Sequence, residues 1–478
     1  MARVVIDRRP IGVILLERSV RPLAFLALGL GFWAVLAATP PEGLSVEGLR
    51  ALGVFGLCLV LWVTGLLPLA VTSLLAIGLL ALAGVMEPAK AYSLFGNQAI
   101  FFVLGAFILA AAMMKTGLSA RLALAFLRRV GSSPRRLVAG VMASTALMCF
   151  AMPSHAAAAM VFPIVIEIVN SLGLRPGRSR FSRSLLLALA WGSCVGSNLT
   201  LISSARAALA LGFLAEAGLP GISFGEWSTV AIPMALAQWG AVLGLLLLFF
   251  PPDIESVEPA IEALARRTRS MGKVTTDERL AGLVLASAMA AWAFGGLEWG
   301  LAGIAVIAAV SLFVLRVLTW KDAEEYVNWG IFLLYGGAIA LGAALDRSGA
   351  AHWLTTRTLG SWVESPWAFV TAISGLSVAL TEGVSNSAVV AGLGPLAIAL
   401  ARDIGIDPRV LVMAVVMPAG LAFALPTSTP ALALAFSSGH LRVRDTLLPG
   451  LAMDAACWVL FLLTMWAWMP VVGYAVGP

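Results

Sequence analysis

Charge is what this chain has least of. Asp, Glu, Lys and Arg together make up 12% of its 478 residues, about half the share found in soluble globular proteins. A soluble multidomain enzyme is excluded on that ground. Histidine is scarcer still: His155, His352 and His440 are the only three, and none stands in an H-E-x-x-H pair or at metal-ligand spacing. Without a strand pattern there is no seat for a strand-borne nucleophile elbow, so an intramembrane enzyme has no signature here. Cys58, Cys149, Cys194 and Cys457 lie scattered without C-x-x-C spacing, which reads as packing, not as a disulfide or metal site. No organic cofactor is called for. A cleavage motif is missing behind the first apolar run, so a retained span is expected and not a signal peptide.

What remains is apolar. Hydrophobic residues make up 60% of the chain and mean hydropathy is +0.96, gathered in continuous runs of about 20 residues. The runs do not alternate with the period of two of a barrel, so the expected fold class is an all-α polytopic membrane bundle. The net charge of +6 sits in Arg-rich ends and loops without interleaved aromatics, and nucleic acid is no partner. Arg3, Arg8, Arg9, Arg18 and Arg21 precede the first run and place the N-terminus in the cytoplasm.

Against this background the segment 379–395, ALTEGVSNSAVVAGLGP, stands out. Thr381, Glu382, Ser385, Asn386 and Ser387 crowd together between apolar segments. Polar groups at membrane depth are costly unless they face protein, water or a ligand, so the cluster is a candidate site. Helix–helix contact is the alternative.

Spans read at about 22–38, 51–65, 69–85, 229–250, 281–297, 300–318 and 447–470, with a basic amphipathic piece at 121–136 expected to lie in an interface. Small-residue stretches at 98–117 and 331–349 read as hairpin candidates. Each is followed by two interrupted segments. In 137–170 the break is Met152–Pro153–Ser154–His155; in 184–214 it runs through Ser197, Asn198, Thr200, Ser203, Ser204 and Arg206; in 409–438 it is Leu425–Pro426–Thr427–Ser428–Thr429–Pro430. Breaks of this kind free backbone groups that protein, water or ions must satisfy, which is the mark of discontinuous transporter helices.

One offset, 349 − 117 = 232, lays Gly105 on Gly337, Lys115 on Arg347, Gly117 on Gly349, Pro153–Ser154–His155 on Ser385–Asn386–Ser387 and Pro163 on Pro395. An internal duplication is expected, with a binding site where its two copies meet. The polar connection 251–280 divides them.

T-E-x-x-S-N-[ST] followed by a proline, here Thr381 through Pro395, resembles the second signature of the divalent anion/sodium symporters of the ion transporter superfamily, carriers of dicarboxylates, tricarboxylates and sulfate. Thr429–Pro430 and the 196–202 segment are similar to that family's paired loops. The resemblance implies an inverted repeat with two re-entrant hairpins and paired discontinuous helices, working as an elevator in a homodimer of the cell inner membrane. It divides the chain into N-terminal scaffold helices (1–88), a first transport half (89–225), scaffold helices around the connection (226–325), a second transport half (326–445) and a C-terminal helix (446–478). Carried over residue by residue, it implies substrate contacts at Ser385, Asn386, Ser387 and Thr429; by chemistry and place at the breaks Ser154, His155 and Arg206 are further substrate candidates, and Ser197, Asn198, Thr200, Ser203, Ser204, Glu382, Thr427 and Ser428 are cation-site candidates. The first half departs from the pattern, with Pro153–Ser154–His155 for Ser-Asn-Thr and Ser204–Ala205–Arg206–Ala207 for Thr-Pro-Pro-Asn. Leu432 replaces the asparagine of the second loop. Several oxygen-bearing side chains are lost and an imidazole and a guanidinium gained, which argues against sodium as coupling ion.

Half-helices that begin at the breaks would aim amides and the positive dipole end at an anionic solute. Arg206 either pairs with that anion or snorkels to the headgroups. His155 is either a proton-linked cation or a neutral packing residue. Glu382 is a proton carrier, a cation ligand or, preferably, an acceptor for freed backbone N–H groups. A small-anion carrier is the leading reading. A sodium-independent exchanger and an oxyanion efflux permease are the alternatives. Basic flanks on both sides of 137–170 leave the orientation of that segment open.

Overall fold

The computed structural model describes residues 11–130, 133–295, 298–359 and 365–476, all helix, turn or loop without a strand. Arg3, Arg8 and Arg9, and the side chain of Arg18, lie outside the described residues. Among the described residues six helices are long and apolar enough to cross a membrane: Val46–Thr64, Pro88–Thr116, Ser154–Ser171, Phe224–Phe249, Trp329–Arg347 and Val443–Ala467.

The duplication seen as an offset in sequence returns as an offset in elements. Leu69–Leu82 and Leu301–Val314, and likewise Leu118–Leu127 and Ala350–Leu359, are 232 residues apart at both ends. The long helices Gln98–Thr116 and Trp329–Arg347 follow within a residue. Gly117 and Gly349 terminate them with φ of +82° and +70°, a left-handed turn that a side chain would strain.

The two halves also exchange contacts. Gly105 of the first long helix packs so closely on Leu301–Val314 that a Cβ would sit 2.6 Å from the backbone of Ala305. Gly337 of the second packs the same way on the backbone of Ser73 in Leu69–Leu82. Since 105 + 232 = 337 and 73 + 232 = 305, each half lends its long helix to the short apolar helix of the other. Pairing i with j′ and j with i′ is the contact pattern of a two-fold relation.

Two expectations are corrected. The stretches 98–117 and 331–349 are single helices and not hairpins. The chain turns back at 150–153 instead: Pro134–Cys149 and Ser154–Ser171 pack on one another, and Leu118–Leu127 touches both. Small residues serve close helix contact as well as a tight turn, and composition does not separate the two. The piece 121–136 is no single interfacial helix. It ends at Leu127, its Ala123, Leu124 and Leu127 are buried, and Arg121 reaches Glu278 at 2.8 Å and the backbone oxygen of Gly272 at 3.0 Å. The polar connection 251–280 carries structure of its own. It holds the helix Glu258–Ser270 and is tied down where Asp253 accepts the amides of Arg180 and Phe181 and the hydroxyl of Ser179 at 2.8 to 3.0 Å.

All four cysteines are buried and free.

Candidate functional site

Two helix starts sit at homologous places. Pro153 and Ser385 have nearly the same backbone angles, φ/ψ of −54°/139° and −60°/137°, and leave Ser154 and Asn386 as first residues of Ser154–Ser171 and Asn386–Ile404. Proline in one copy and an N-capping serine in the other stop the preceding helix by different chemistry. Ser385 Oγ accepts from the amide of Ala388 at 3.3 Å. A third helix, Pro430–Ser437, starts after Thr429, whose hydroxyl caps it by accepting from Leu432 at 3.2 Å.

The three starts meet. One cavity is lined by Ser154, His155, Ser193, Cys194, Ser197, Asn386, Gly420, Thr429, Pro430 and Ala431, drawn from both halves. Among the described residues the amides of His155, Asn386, Ser387 and Ala431 form no hydrogen bond, as first-turn amides do not. His155 lies edge-on to Phe107, ring centroids 5.7 Å apart, and its ring has no hydrogen-bond partner among the described residues. Ser385 and Ser387 flank Asn386 without lining the cavity. A roomier cleft between Ile11–Ala37 and Val46–Thr64 is lined only by apolar side chains and glycine and offers an anion nothing.

Behind the cavity lies Arg206, 4% exposed. Its place rules out snorkelling to the headgroups. Its Nε donates to Val416 O at 2.9 Å, and Nη2 donates to Ser197 Oγ at 2.9 Å and Asn198 Oδ1 at 2.6 Å. Asn198 in turn donates to Met417 O at 3.0 Å and accepts the Trp227 indole on its own carbonyl at 2.8 Å. The guanidinium thus bolts the first-half break to the second-half break. No carboxylate pairs with it among the described residues, and Nη1 forms no hydrogen bond.

Of the other cation candidates, Thr200, Ser203 and Ser428 are engaged as well. Ser203 Oγ lies 2.9 Å from Ser197 O and 2.6 Å from Thr200 O, and Thr200 Oγ1 reaches Phe150 O at 3.3 Å. Ser204 Oγ is buried without a partner. Thr427 is exposed, and Ser428 donates to Leu425 O at 2.6 Å.

Glu382 sits away from the cavity wall. Its carboxylate accepts the amides of Phe423 at 2.7 Å, Ala424 at 3.0 Å and Leu425 at 2.9 Å, the backbone groups left over where Pro408–Val416 ends. Thr381 Oγ1 lies 2.7 Å from Asn386 Oδ1 and 2.9 Å from Ala419 O, its one proton shared between them. The strand-like run 421–425 is held from the first half too, where Trp191 donates to Phe423 O at 3.0 Å and Cys194 to Ala422 O at 3.3 Å.

Sequence reading missed Asp454. It is 4% exposed, its Oδ1 lies 3.3 Å from the Phe423 amide and its Oδ2 has no partner. The signal was a lone acid inside the last apolar span. Gly420 was missed without any signal. The letters G-I-S-F-G at 221–225 spell a nucleophile elbow, but Ser223 caps Phe224–Phe249, accepting from the Glu226 amide at 3.1 Å.

Residues 19–474 match the model of a family described as the sodium:sulfate symporter transmembrane region. Two relatives, both named sodium-dependent dicarboxylate transporter SdcS, come from Staphylococcus aureus strains bovine RF122 / ET3-1 and MSSA476. Each is 28% identical over 481 residues, covering 95% of this chain and 92% of the relative. Among solved structures, the crystal structure of the Alcanivorax borkumensis YdaH transporter is similar with a TM-score of 0.54 at 15% identity, over 82% of this chain and 88% of that one. That last likeness is one of fold alone.

Proposed function

The chain belongs to the sodium:sulfate symporter transmembrane family, and from that premise we propose that it is a secondary transporter of small dicarboxylates, tricarboxylates or sulfate. The single observation that carries the reading is a guanidinium, 4% exposed and without a carboxylate partner among the described residues, beside a cavity of neutral donors. A buried charge without a partner costs several kcal/mol. An anion in the cavity supplies the partner: two unit charges about 5 Å apart attract by about 3 kcal/mol at an effective dielectric constant near 20.

In this reading Ser154, Asn386 and Thr429 give neutral hydrogen bonds to the anion, His155 gives a further donor, and the amides at three helix starts stand in for its hydration shell. Ser385 and Ser387 hold the tip on which Asn386 rides. Neutral contacts of this kind suit release as well as capture. Residues 89–225 and 326–445 form the moving part, and 1–88, 226–325 and 446–478 the static frame, of an elevator built on an inverted repeat. The exchanged contacts between the halves support a two-fold relation. The molecule sits in the cell inner membrane with its N-terminus in the cytoplasm, as a homodimer.

Uptake of labelled succinate, citrate and sulfate into proteoliposomes tests the reading. Uptake at least tenfold above protein-free vesicles for one of the three is the expected result. No uptake of any of them, with or without sodium or internal anion, would sink it.

A further inference from the structure

The family is described by sodium, so the break loops have to be asked whether a sodium ion fits. A hard cation needs a cage of oxygens free to turn toward it. At the first-half break the side-chain oxygens of Ser197, Asn198, Thr200 and Ser203 are already engaged, and Ser204 Oγ, without a partner among the described residues, is a single oxygen and no cage. Ser197 Oγ and Asn198 Oδ1 already accept from Arg206 Nη2 at 2.9 and 2.6 Å. Asn198 O and Met417 O accept from the Trp227 indole and the Asn198 amide at 2.8 and 3.0 Å, and Ser197 O accepts from Ser203 at 2.9 Å. A second positive charge about 4 Å from the guanidinium would be repelled by enough to weaken its binding on the order of a thousandfold at an effective dielectric constant near 20.

The second half makes a built-in comparison. Ser204 and Thr429 are the residues before Ala205–Glu216 and Pro430–Ser437, so Arg206 stands where the other copy has Ala431. At the 232-residue offset Glu382 falls on Phe150. The first copy has therefore gained a cation and lost an acid relative to its twin. Both changes remove what a mobile cation would be attracted to.

We infer that Arg206 is a tethered counter-cation: its guanidinium takes the oxygens and the charge position a sodium ion would need, so anion binding requires no sodium at the first-half break. This rests on the anion-transport reading. The same bonds to Val416, Ser197 and Asn198 make the cation part of the wall, present in every state of the cycle and never released with the substrate.

The test is calorimetric titration of succinate and sulfate into the purified full-length protein in choline and in sodium buffer. Wild type is compared with Arg206→Ala and Arg206→Lys. Exchanging choline for sodium should improve anion affinity at least fivefold more in Arg206→Ala than in wild type, because the vacated oxygens then accept the ion. Arg206→Lys, which keeps the charge, should behave as wild type. Added guanidinium ion should restore affinity to the alanine variant in choline. A sodium effect less than fivefold larger in Arg206→Ala than in wild type overturns the inference. Should the alanine variant not fold, Arg206→Ser, which removes the charge and is too short to reach the Ser197 and Asn198 oxygens, takes its place under the same criterion. Absence of binding to wild type in both buffers would instead refute the transport reading itself.

Discussion

Gly420→Ala perturbs the site without replacing a polar side chain. Gly420 has no positive φ, so its backbone accepts alanine, and the three atoms nearest the added methyl all belong to side chains. A Cβ there would overlap Arg206 Nη2, with Cζ at 2.7 Å and Ser197 Oγ at 2.9 Å. On a surface the arginine would swing aside at little cost. Here it is 4% exposed and held by three hydrogen bonds. To restore ordinary contact Cζ must retreat by roughly 0.7 Å and Nη2 by more, enough to carry Nη2 out of hydrogen-bond range of Ser197 and Asn198. Two charge-assisted bonds at about 1.5 kcal/mol or more each give a loss of about 3 kcal/mol. The charge moves back by about an ångström, which weakens its pull on an anion about 5 Å away by only about 0.6 kcal/mol, or roughly threefold in affinity. Scanning fluorimetry in detergent should therefore record a large fall in melting temperature while calorimetry records a small fall in anion affinity. An unchanged melting temperature would refute the placement of the guanidinium against Gly420.

Gly105→Ala and Gly337→Ala gain about 1 kcal/mol of helix propensity but overpack a helix–helix contact at about 1 to 3 kcal/mol; both should lower the melting temperature, and by similar amounts, because they are one contact made twice. Glu382→Ala strands the amides of Ala424 and Leu425 at about 1 to 3 kcal/mol each and leaves that of Phe423 to Asp454 alone, so it should melt well below wild type, and a variant of unchanged stability would show that the carboxylate is no backbone anchor. Burial alone would raise the carboxyl pKa of Asp322, but bonds from Lys115 and Thr319 outweigh it and bring the value down from 3.8 to about 2. A depressed carboxyl stabilises above its unfolded value and loses that contribution as pH falls through the folded one, so melting temperature should fall between about pH 4 and 2, less steeply in Asp322→Asn.

Much of this architecture was written in local chemistry. Pro153 and Ser385 stop helices by rules that act within a few residues; the break at Pro153 was placed within two residues from sequence, and the 232-residue offset laid Ser385 over it. The duplication was legible because Gly105, Gly117 and Pro163 recur as Gly337, Gly349 and Pro395. The direction of the chain after a break was not, since a helix that continues and one that folds back use the same small residues. Arg206 could be read as buried or as snorkelling until its partners were known, and those are 210 residues away at Val416 as well as next door. Asp454 passed unread, although a lone acid in an apolar span is a signal in itself.

The claim that both breaks serve one anion is tested most directly by locating that anion. An experimental structure of the protein with selenate, read by its anomalous scattering, should place the selenium between Ser154 and Asn386, within reach of Thr429 and of the free Nη1 of Arg206. Selenium bound at a site lined by one half alone, or far from Arg206, would contradict the account.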